Sequence, residues 1–219
     1  MGSMTAAIGW SSGKDACMAL IRARAAGHEV KVALTTLNEA FDRVAMHGTR
    51  ATILRAQAKA AGLELMEVPL PWPCSNEVYE ARMAKAVDAL KALGVTEMIS
   101  GDLFLEDVRD YRVAQLEGSG ISPVFPLWGE DTTALATEIA AGFDTRIVTL
   151  DPSKLPEDFA GRRLDAALLS SLPESVDPCG ENGEFHTCVL DAPCFAAPIP
   201  ATRGETVTRD GFIYSDLVL

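Results

Sequence analysis

Ala6-Ala7-Ile8-Gly9-Trp10-Ser11-Ser12-Gly13-Lys14-Asp15 decides how this chain folds. Its first half is a short apolar run that predicts a strand. Its second half is a tight Ser/Gly turn. Beyond it Cys17, Leu20, Ile21 and Ala25 recur at helical spacing, so a helix follows. Strand, tight turn and helix in that order aim backbone N–H groups at one point, which is also the positive end of the helix dipole. Ser11 and Ser12 add hydroxyls and Lys14 adds a mobile positive charge, so the turn suits a phosphate group. It is not a Walker A loop, because Ile8 and Asp15 stand where that pattern needs glycine and Ser or Thr. An ordinary strand–helix turn with an N-cap serine would use the same residue types, and that reading stays open on local grounds.

Outward from this turn, apolar β-prone runs alternate with helical patterns. Val30–Thr36 and Glu64–Pro69 predict strands, and Glu97–Asp102 predicts another with its exit turn. Thr49–Ala61 predicts a helix, with Ile53, Leu54, Gln57, Ala58 and Ala61 along one face, and a further helix carries Tyr79, Met83, Val87 and Leu90 and ends at Gly94. This alternation favours an α/β fold, a parallel sheet with helices on both faces. Ligands of such sheets sit beyond the carboxyl ends of the strands, where Asp15, Asn38 and Asp102 are expected to face one crevice. After Phe125-Pro126-Leu127-Trp128-Gly129 the rhythm changes. Thr133–Ala141 and Arg163–Leu172 predict helices and Arg146–Leu150 a strand, amid shorter strands and loops. A division near residue 130 is expected, with a domain over 4–130 and a smaller α+β domain over 131–219.

Composition narrows the function. The chain has 219 residues, 48% of them hydrophobic, and a formal net charge of −12 with no run of lysines or arginines. No extensive nucleic-acid or anionic-membrane interface is expected from that balance. No apolar stretch approaches ~18 residues, and no charged n-region precedes an apolar core, so neither a membrane span nor a secretion signal is expected. Met1-Gly2-Ser3-Met4 reads as an expression remnant ahead of a native start at Met4. The cysteines Cys17, Cys74, Cys179, Cys188 and Cys194 are odd in number and contain no C-x-x-C pair. They read as reduced thiols of a cytoplasmic protein, without a zinc ribbon or thioredoxin-like site. Cys179 reads as a small buried residue, although its place beside the second motif leaves a catalytic thiol open.

That second motif is Asp177-Pro178-Cys179-Gly180-Glu181-Asn182-Gly183-Glu184-Phe185-His186-Thr187. Carboxylates, an amide, an imidazole and glycines crowd into what reads as one turn-rich loop before a strand over Cys188–Asp191. Such polar density on a loop suits a ligand site, and a solvated hairpin loop is the alternative.

Taken together, the two motifs resemble those of the PP-loop ATP pyrophosphatases, and within them the diphthine–ammonia ligase (diphthamide synthase, ATP-binding domain) family. The resemblance also covers Met46-His47-Gly48, Gln57-Ala58, Gly101-Asp102 and Pro126-Leu127-Trp128, and so runs nearly end to end. It departs at two places. The first loop reads Ser-Ser-Gly-Lys-Asp-Ala where the family usually has Ser-Gly-Gly-Lys-Asp-Ser. The second carries Asn182 and His186 where the family usually has Gly and Glu in Glu-Gly-Gly-Glu-Phe-Glu-Thr. The Glu-Asn-Gly-Glu-Phe-His form looks like a bacterial subgroup linked to cobalamin metabolism.

The resemblance implies a Rossmann-like fold of the adenine nucleotide alpha-hydrolase type, with ATP bound by 4–130 and substrate by 131–219. It implies cleavage of ATP to AMP and pyrophosphate, with a substrate carboxylate activated as an acyl-adenylate and displaced by ammonia or an amine. Ser11, Ser12, Gly13, Lys14, Asp15 and His47 would hold the nucleotide. Asp15 and Asp102 are candidates for Mg²⁺, although Asp15 equally suits a helix cap. Lys14, Asp102, Glu184 and His186 are the candidate catalytic residues, His186 through an intrinsic pKa near neutrality. Gly180, Glu181, Asn182, Glu184, His186 and Thr187 would meet the acceptor, whether diphthine or a cobalamin-related metabolite. Trp72 and Trp128 are open between pocket walls and core. A nucleotide-binding module without ligase activity and a sulfur-transferring PP-loop enzyme are the alternatives, and homodimerisation is left open.

Overall fold

The computed structural model of the protein describes residues 5–219, so the reading of Met1–Met4 lies outside the described residues. Strand β1 (Thr5–Gly9) leads through the Ser/Gly turn into helix α1 (Lys14–Ala25). Strand β2 (Glu29–Asn38) pairs in parallel with β1, and a two-residue strand β3 (Arg43–Val44) turns back antiparallel on its end. Helix α2 (Ala51–Ala61) follows, closed by Gly62 in the left-handed conformation, then strand β4 (Glu64–Leu70) parallel to β2. Helix α3 (Asn76–Ala92), capped by the Ser75 hydroxyl, precedes strand β5 (Val95–Ile99), which lies on the other side of β1. Helix α4 (Glu106–Leu116) then leads to a short edge strand β6 (Ser122–Val124) beside β5.

The chain therefore fills one side of β1 and then crosses to the other. That crossing creates a switch point at the carboxyl end of β1, where open α/β sheets bind ligands. Alternation along β1 decides which helices cover which face. Ala6 and Ile8 are buried with residues of α1 and α2, whereas Ala7 is buried with Ala86 and Leu90 of α3 and Leu116 of α4.

Helix α5 (Thr132–Gly142), capped by Asp131, begins the remainder of the chain. Strand β7 (Asp144–Leu150), helix α6 (Ala166–Ser171), strand β8 (Phe185–Asp191) and the hairpin β9 (Thr202–Arg209)–β10 (Phe212–Val218) complete it. These four strands form a separate antiparallel sheet in the order β8-β7-β10-β9. The apolar core does not stop between the sheets. Ile147, Leu150, Cys188, Ile213 and Leu217 belong to the same buried cluster as Ile8, Trp10, Leu20 and Ile53.

The α/β expectation holds, with four differences. Helix α4 has no counterpart in the sequence reading, because among its residues only Leu116 is buried and no apolar stripe marks it. The helix expected over Arg163–Leu172 is shorter. Asp165 caps it by accepting from Leu168 N at 2.8 Å, and Arg163 forms a bridge with Arg146. Strand β8 starts at Phe185 rather than Cys188, so the end of the second motif is strand, not loop. Asn38 does not face the crevice with Asp15, since its side chain accepts from Ala40 N at 3.0 Å and braces the β2–β3 turn.

Candidate active site

The two motifs, far apart in sequence, are joined by hydrogen bonds that β8 supplies. Val189 N donates to Ser12 O at 3.0 Å, and Lys14 N donates to the Thr187 hydroxyl at 3.1 Å. Gln57 of α2, fully buried, ties the same place together. Its amide donates to Ser12 O at 3.1 Å and Val189 O at 2.6 Å, while its oxygen accepts from the Trp10 indole at 3.2 Å. Nothing in the helical pattern distinguishes Gln57 from an apolar core position, so its bridging role is a finding of the structure.

Two glycines make the approach of these segments feasible. A side chain at Gly13 would place its Cβ 2.8 Å from Cε1 of His47, and one at Gly101 would place it 2.8 Å from the Asp15 carbonyl oxygen. Ser12 itself takes a left-handed conformation at φ 72°, a region that favours glycine. Its hydroxyl donates to Thr49 at 2.9 Å and is buried, so it does not point at a ligand. The Ser11 hydroxyl accepts from Gly13 N at 3.4 Å.

Between the motifs lies a cavity of about 180 Å³. The first motif contributes Lys14 and Asp15, the β3–α2 connection contributes His47, and the second contributes Cys179, Gly180, Glu181, Gly183, Phe185, His186 and Thr187. Lys14 is buried, with its ammonium 2.8 Å from both Asp15 oxygens and 5.9 Å from the centre of the Phe185 ring. Burial opposes its charge, but Asp15 and the neighbouring acidic groups outweigh burial and hold its pKa above the ordinary lysine value. His47 Nδ1 lies 3.1 Å from the Thr187 carbonyl, and the His47 carbonyl accepts from the Thr149 hydroxyl at 2.9 Å. The His47 and His186 rings stack at 4.7 Å.

Neither imidazole titrates near neutrality, contrary to the expectation for His186. Burial, the His47 ring and the Lys14 ammonium lower His186 to about 3. Burial and Lys14 lower His47 to about 4 against the bond to Thr187. Glu181 moves the other way. Burial, then Asp15 and Asp177, push its carboxyl up to about 8, and it makes no side-chain hydrogen bond among the described residues.

Several expected site residues stand outside the cavity wall. Glu184 is buried, and its carboxylate accepts from Asp177 N at 3.0 Å and Asn182 N at 2.9 Å, so it clasps the loop that carries Glu181. The Asn182 carbonyl accepts from Lys154 at 2.6 Å, which pins the loop from outside. Asp102 pairs with Arg112 at 2.6 Å, in an ion pair whose angle falls outside hydrogen-bond geometry. Trp72 is exposed and meets Phe41 edge-on at 6.2 Å, and Trp128 lies under the Arg109 guanidinium at 4.6 Å. Cys179 does line the cavity, but its thiol donates to Thr132 O at 3.3 Å and burial pushes its pKa to about 12, so it is not a ready thiolate.

A resident divalent cation does not fit these residues alone. Both Asp15 oxygens are on the lysine, Asp102 is on the arginine, and no three His, Cys, Asp or Glu among the described residues form a cluster able to hold a metal. No helix among the described residues is long and apolar enough to cross a membrane.

Comparison with known proteins matches the diphthamide synthase N-terminal domain over residues 4–118 and the diphthamide synthase C-terminal domain over residues 131–213. Diphthine–ammonia ligase of Bos taurus is 28% identical, over 91% of this chain and 83% of its own length. The Homo sapiens enzyme of that name is also 28% identical, over 90% of this chain and 82% of its own. Among solved structures, a chain described as a predicted subunit of tRNA methyltransferase from Methanocaldococcus jannaschii aligns at a TM-score of 0.46. It is 15% identical, over 86% of this chain and 97% of that one.

Proposed function

The chain belongs to the diphthamide synthase family, and from that premise we propose that its cavity holds the phosphate tail of ATP while a bound carboxylate is converted to an amide. ATP-dependent amide-forming ligation is the chemistry of the diphthine–ammonia ligases it is similar to. One observation carries the assignment to this cavity. Lys14 at the head of α1 and the Gly180–Thr187 motif wall the same space of about 180 Å³. That volume suits a phosphate tail, and a whole nucleotide of drug-like size needs roughly 300 Å³ or more, so adenosine extends outside it.

In this reading a carboxylate oxygen of the acceptor attacks the α-phosphorus, and pyrophosphate leaves. Ammonia or an amine then attacks the acyl carbon, and AMP departs with the C–O bond electrons. The first turn of α1, where Lys14 N–H is taken by Thr187 but the next N–H groups have no intrahelical partner, faces the departing phosphates together with the Lys14 ammonium. Both act where negative charge accumulates in the transition state. Asp15 orients Lys14. Glu181 is placed to take the proton that the attacking amine sheds, because a carboxyl of pKa about 8 accepts and releases protons near neutrality. Glu184 acts through Glu181 by holding its loop. No step is assigned to a metal; Mg²⁺ would enter on the nucleotide's own phosphate oxygens. Residues 4–130 serve the nucleotide, while residues 131–219 close the phosphate cavity and serve the acceptor, a diphthine-like or corrinoid carboxylate.

Pyrophosphate release tests this directly, with ATP, ammonia and either a diphthine-bearing protein or carboxylate-bearing corrinoid precursors. Release with one acceptor class identifies it. Lys14→Ala should lower turnover by about 10²–10³-fold, in line with loss of one charge-stabilising donor, and His186→Ala by much less. Equal turnover by the Lys14 variant and the parent protein would reject the assignment.

A further inference from the structure

The cavity is short of positive charge for the ligand proposed for it. Lys14 is the lysine that lines it, and both Asp15 oxygens already lie 2.8 Å from that ammonium. Glu181 lines the same cavity. A polyphosphate therefore enters a space whose fixed charges nearly cancel, and burying an uncompensated anion is expensive.

The His47–His186 stack can make up the difference. Lys14 and Asp15 of α1, Glu181 of the second motif, and Phe185 and Thr187 of β8 line the cavity with it. Thr187 O can only accept, so Nδ1 of His47 carries the hydrogen and Nε2 keeps a lone pair. The His186 ring makes no hydrogen bond among the described residues. Both rings are neutral for stated reasons, burial first, and the Lys14 cation is among them. An entering polyphosphate reverses that balance by bringing several negative charges into the same low-dielectric space.

We propose that the His47–His186 pair is a cation made on demand: one imidazole takes a proton from solvent as the phosphate tail enters and returns it when pyrophosphate leaves. The inference rests on the reading of this cavity as the phosphate site. The proton moves from buffer to an imidazole nitrogen and back, and no bond of the nucleotide changes in the exchange. Rings 4.7 Å apart carry one such charge far more readily than two. A permanent second cation would hold pyrophosphate after the reaction, whereas this one is lost with the product.

Titration calorimetry with a nonhydrolysable α,β-methylene analogue of ATP at pH 7.5, in buffers of low and high ionisation enthalpy, reads the proton count. Uptake of ~0.5–1 proton per nucleotide is expected, because a coupled pair shares a single charge. The double variant His47→Gln/His186→Gln should abolish the uptake, and Glu181→Gln should retain it. Nuclear magnetic resonance of the unaltered protein gives an answer free of any folding defect. The chain has three histidines, and His28 is held 2.7 Å from Glu97 away from the cavity lining, so it serves as an internal reference. A cavity histidine Cε1 signal should move to its imidazolium position on adding the analogue. Binding with no uptake, or uptake lost only in Glu181→Gln, overturns the proposal and leaves the phosphate site standing. Failure of the parent protein to bind the analogue overturns both.

Discussion

The backbone N–H of Lys14 donates to the Thr187 hydroxyl at 3.1 Å across 173 residues of sequence. That contact makes the amino-terminal turn and the second motif one site, because the residue supplying the charge borrows its backbone anchor from β8. Thr187→Val keeps the shape and removes the acceptor. The buried N–H left unpaired should cost about 1–2 kcal/mol of stability. The Michaelis constant for ATP should rise ~3–10-fold as Lys14 loses its fixed position. Urea unfolding and pyrophosphate release measure the two effects, and an unchanged unfolding midpoint would show that the contact contributes nothing.

Ser12 occupies a left-handed position at φ 72° and in return donates its hydroxyl to Thr49 at 2.9 Å. The strain costs about 1–2 kcal/mol and the hydrogen bond returns about 1 kcal/mol. Ser12→Gly removes both and should therefore leave stability within about 1 kcal/mol of the parent. Both variants lose the contact with Thr49, but Ser12→Ala keeps the strain, so it should be the less stable of the two by about 1–2 kcal/mol. Folding free energies in the order Ala above Gly would contradict this account of the turn.

Cys179 lines the cavity, yet its thiol donates to Thr132 O, and its pKa of about 12 leaves almost no thiolate at neutral pH. Cys179→Ala should retain turnover within ~3-fold, since nothing in the ligation needs a sulfur nucleophile. Loss of activity in a variant that still unfolds cooperatively would favour sulfur transfer.

Sequence alone exposed the parts of this site that obey local rules. The run Ala6–Trp10, the Ser/Gly turn and the apolar stripe from Cys17 to Ala25 are each short-range signals, and β1, the loop and α1 follow them. What escaped depends on partners distant in the chain. Glu184 has the residue type of a catalytic acid, but the amides of Asp177 and Asn182 consume its oxygens, which no spacing rule reveals. Gln57 sits in an apolar helical stripe, and only β8 explains why an amide is buried there. Thr149 enters the site through a sheet whose antiparallel pairing joins residues 144–150 to 185–191, a long-range register with no local signature. His186 was recognisable as part of a motif. Its lowered pKa comes from burial against His47 and Lys14, both more than a hundred residues earlier.

The same buried groups fix how stability depends on pH. In the folded chain His186 and His47 are lowered to about 3 and about 4, whereas an unfolded histidine titrates near ~6.5. The unfolded chain therefore binds more protons below ~6.5, and stability falls as pH drops through that window. Glu181 has the opposite sign. Its carboxyl is pushed up to about 8, so the folded chain keeps a proton that the unfolded chain has released, and its share declines as pH rises from ~4.5 to ~8. Two histidines against one glutamate leave a net dependence of about one proton, about 1.4 kcal/mol per pH unit, between ~4.5 and ~6.5. Below ~4 Asp216 takes over. Burial would raise its pKa, but hydrogen bonds from Arg43 and Arg50 outweigh burial and hold it at about 2. Its contribution of about 1–2 kcal/mol is present above ~4 and lost as pH falls towards 2. His186→Gln should flatten the window between ~4.5 and ~6.5, and Glu181→Gln should steepen it to about two protons. Asp216→Asn should change the curve's shape only below ~4. Urea unfolding across pH 2 to 8 separates these cases, and parallel curves for the parent and His186→Gln would show that His186 is not held neutral in the folded protein.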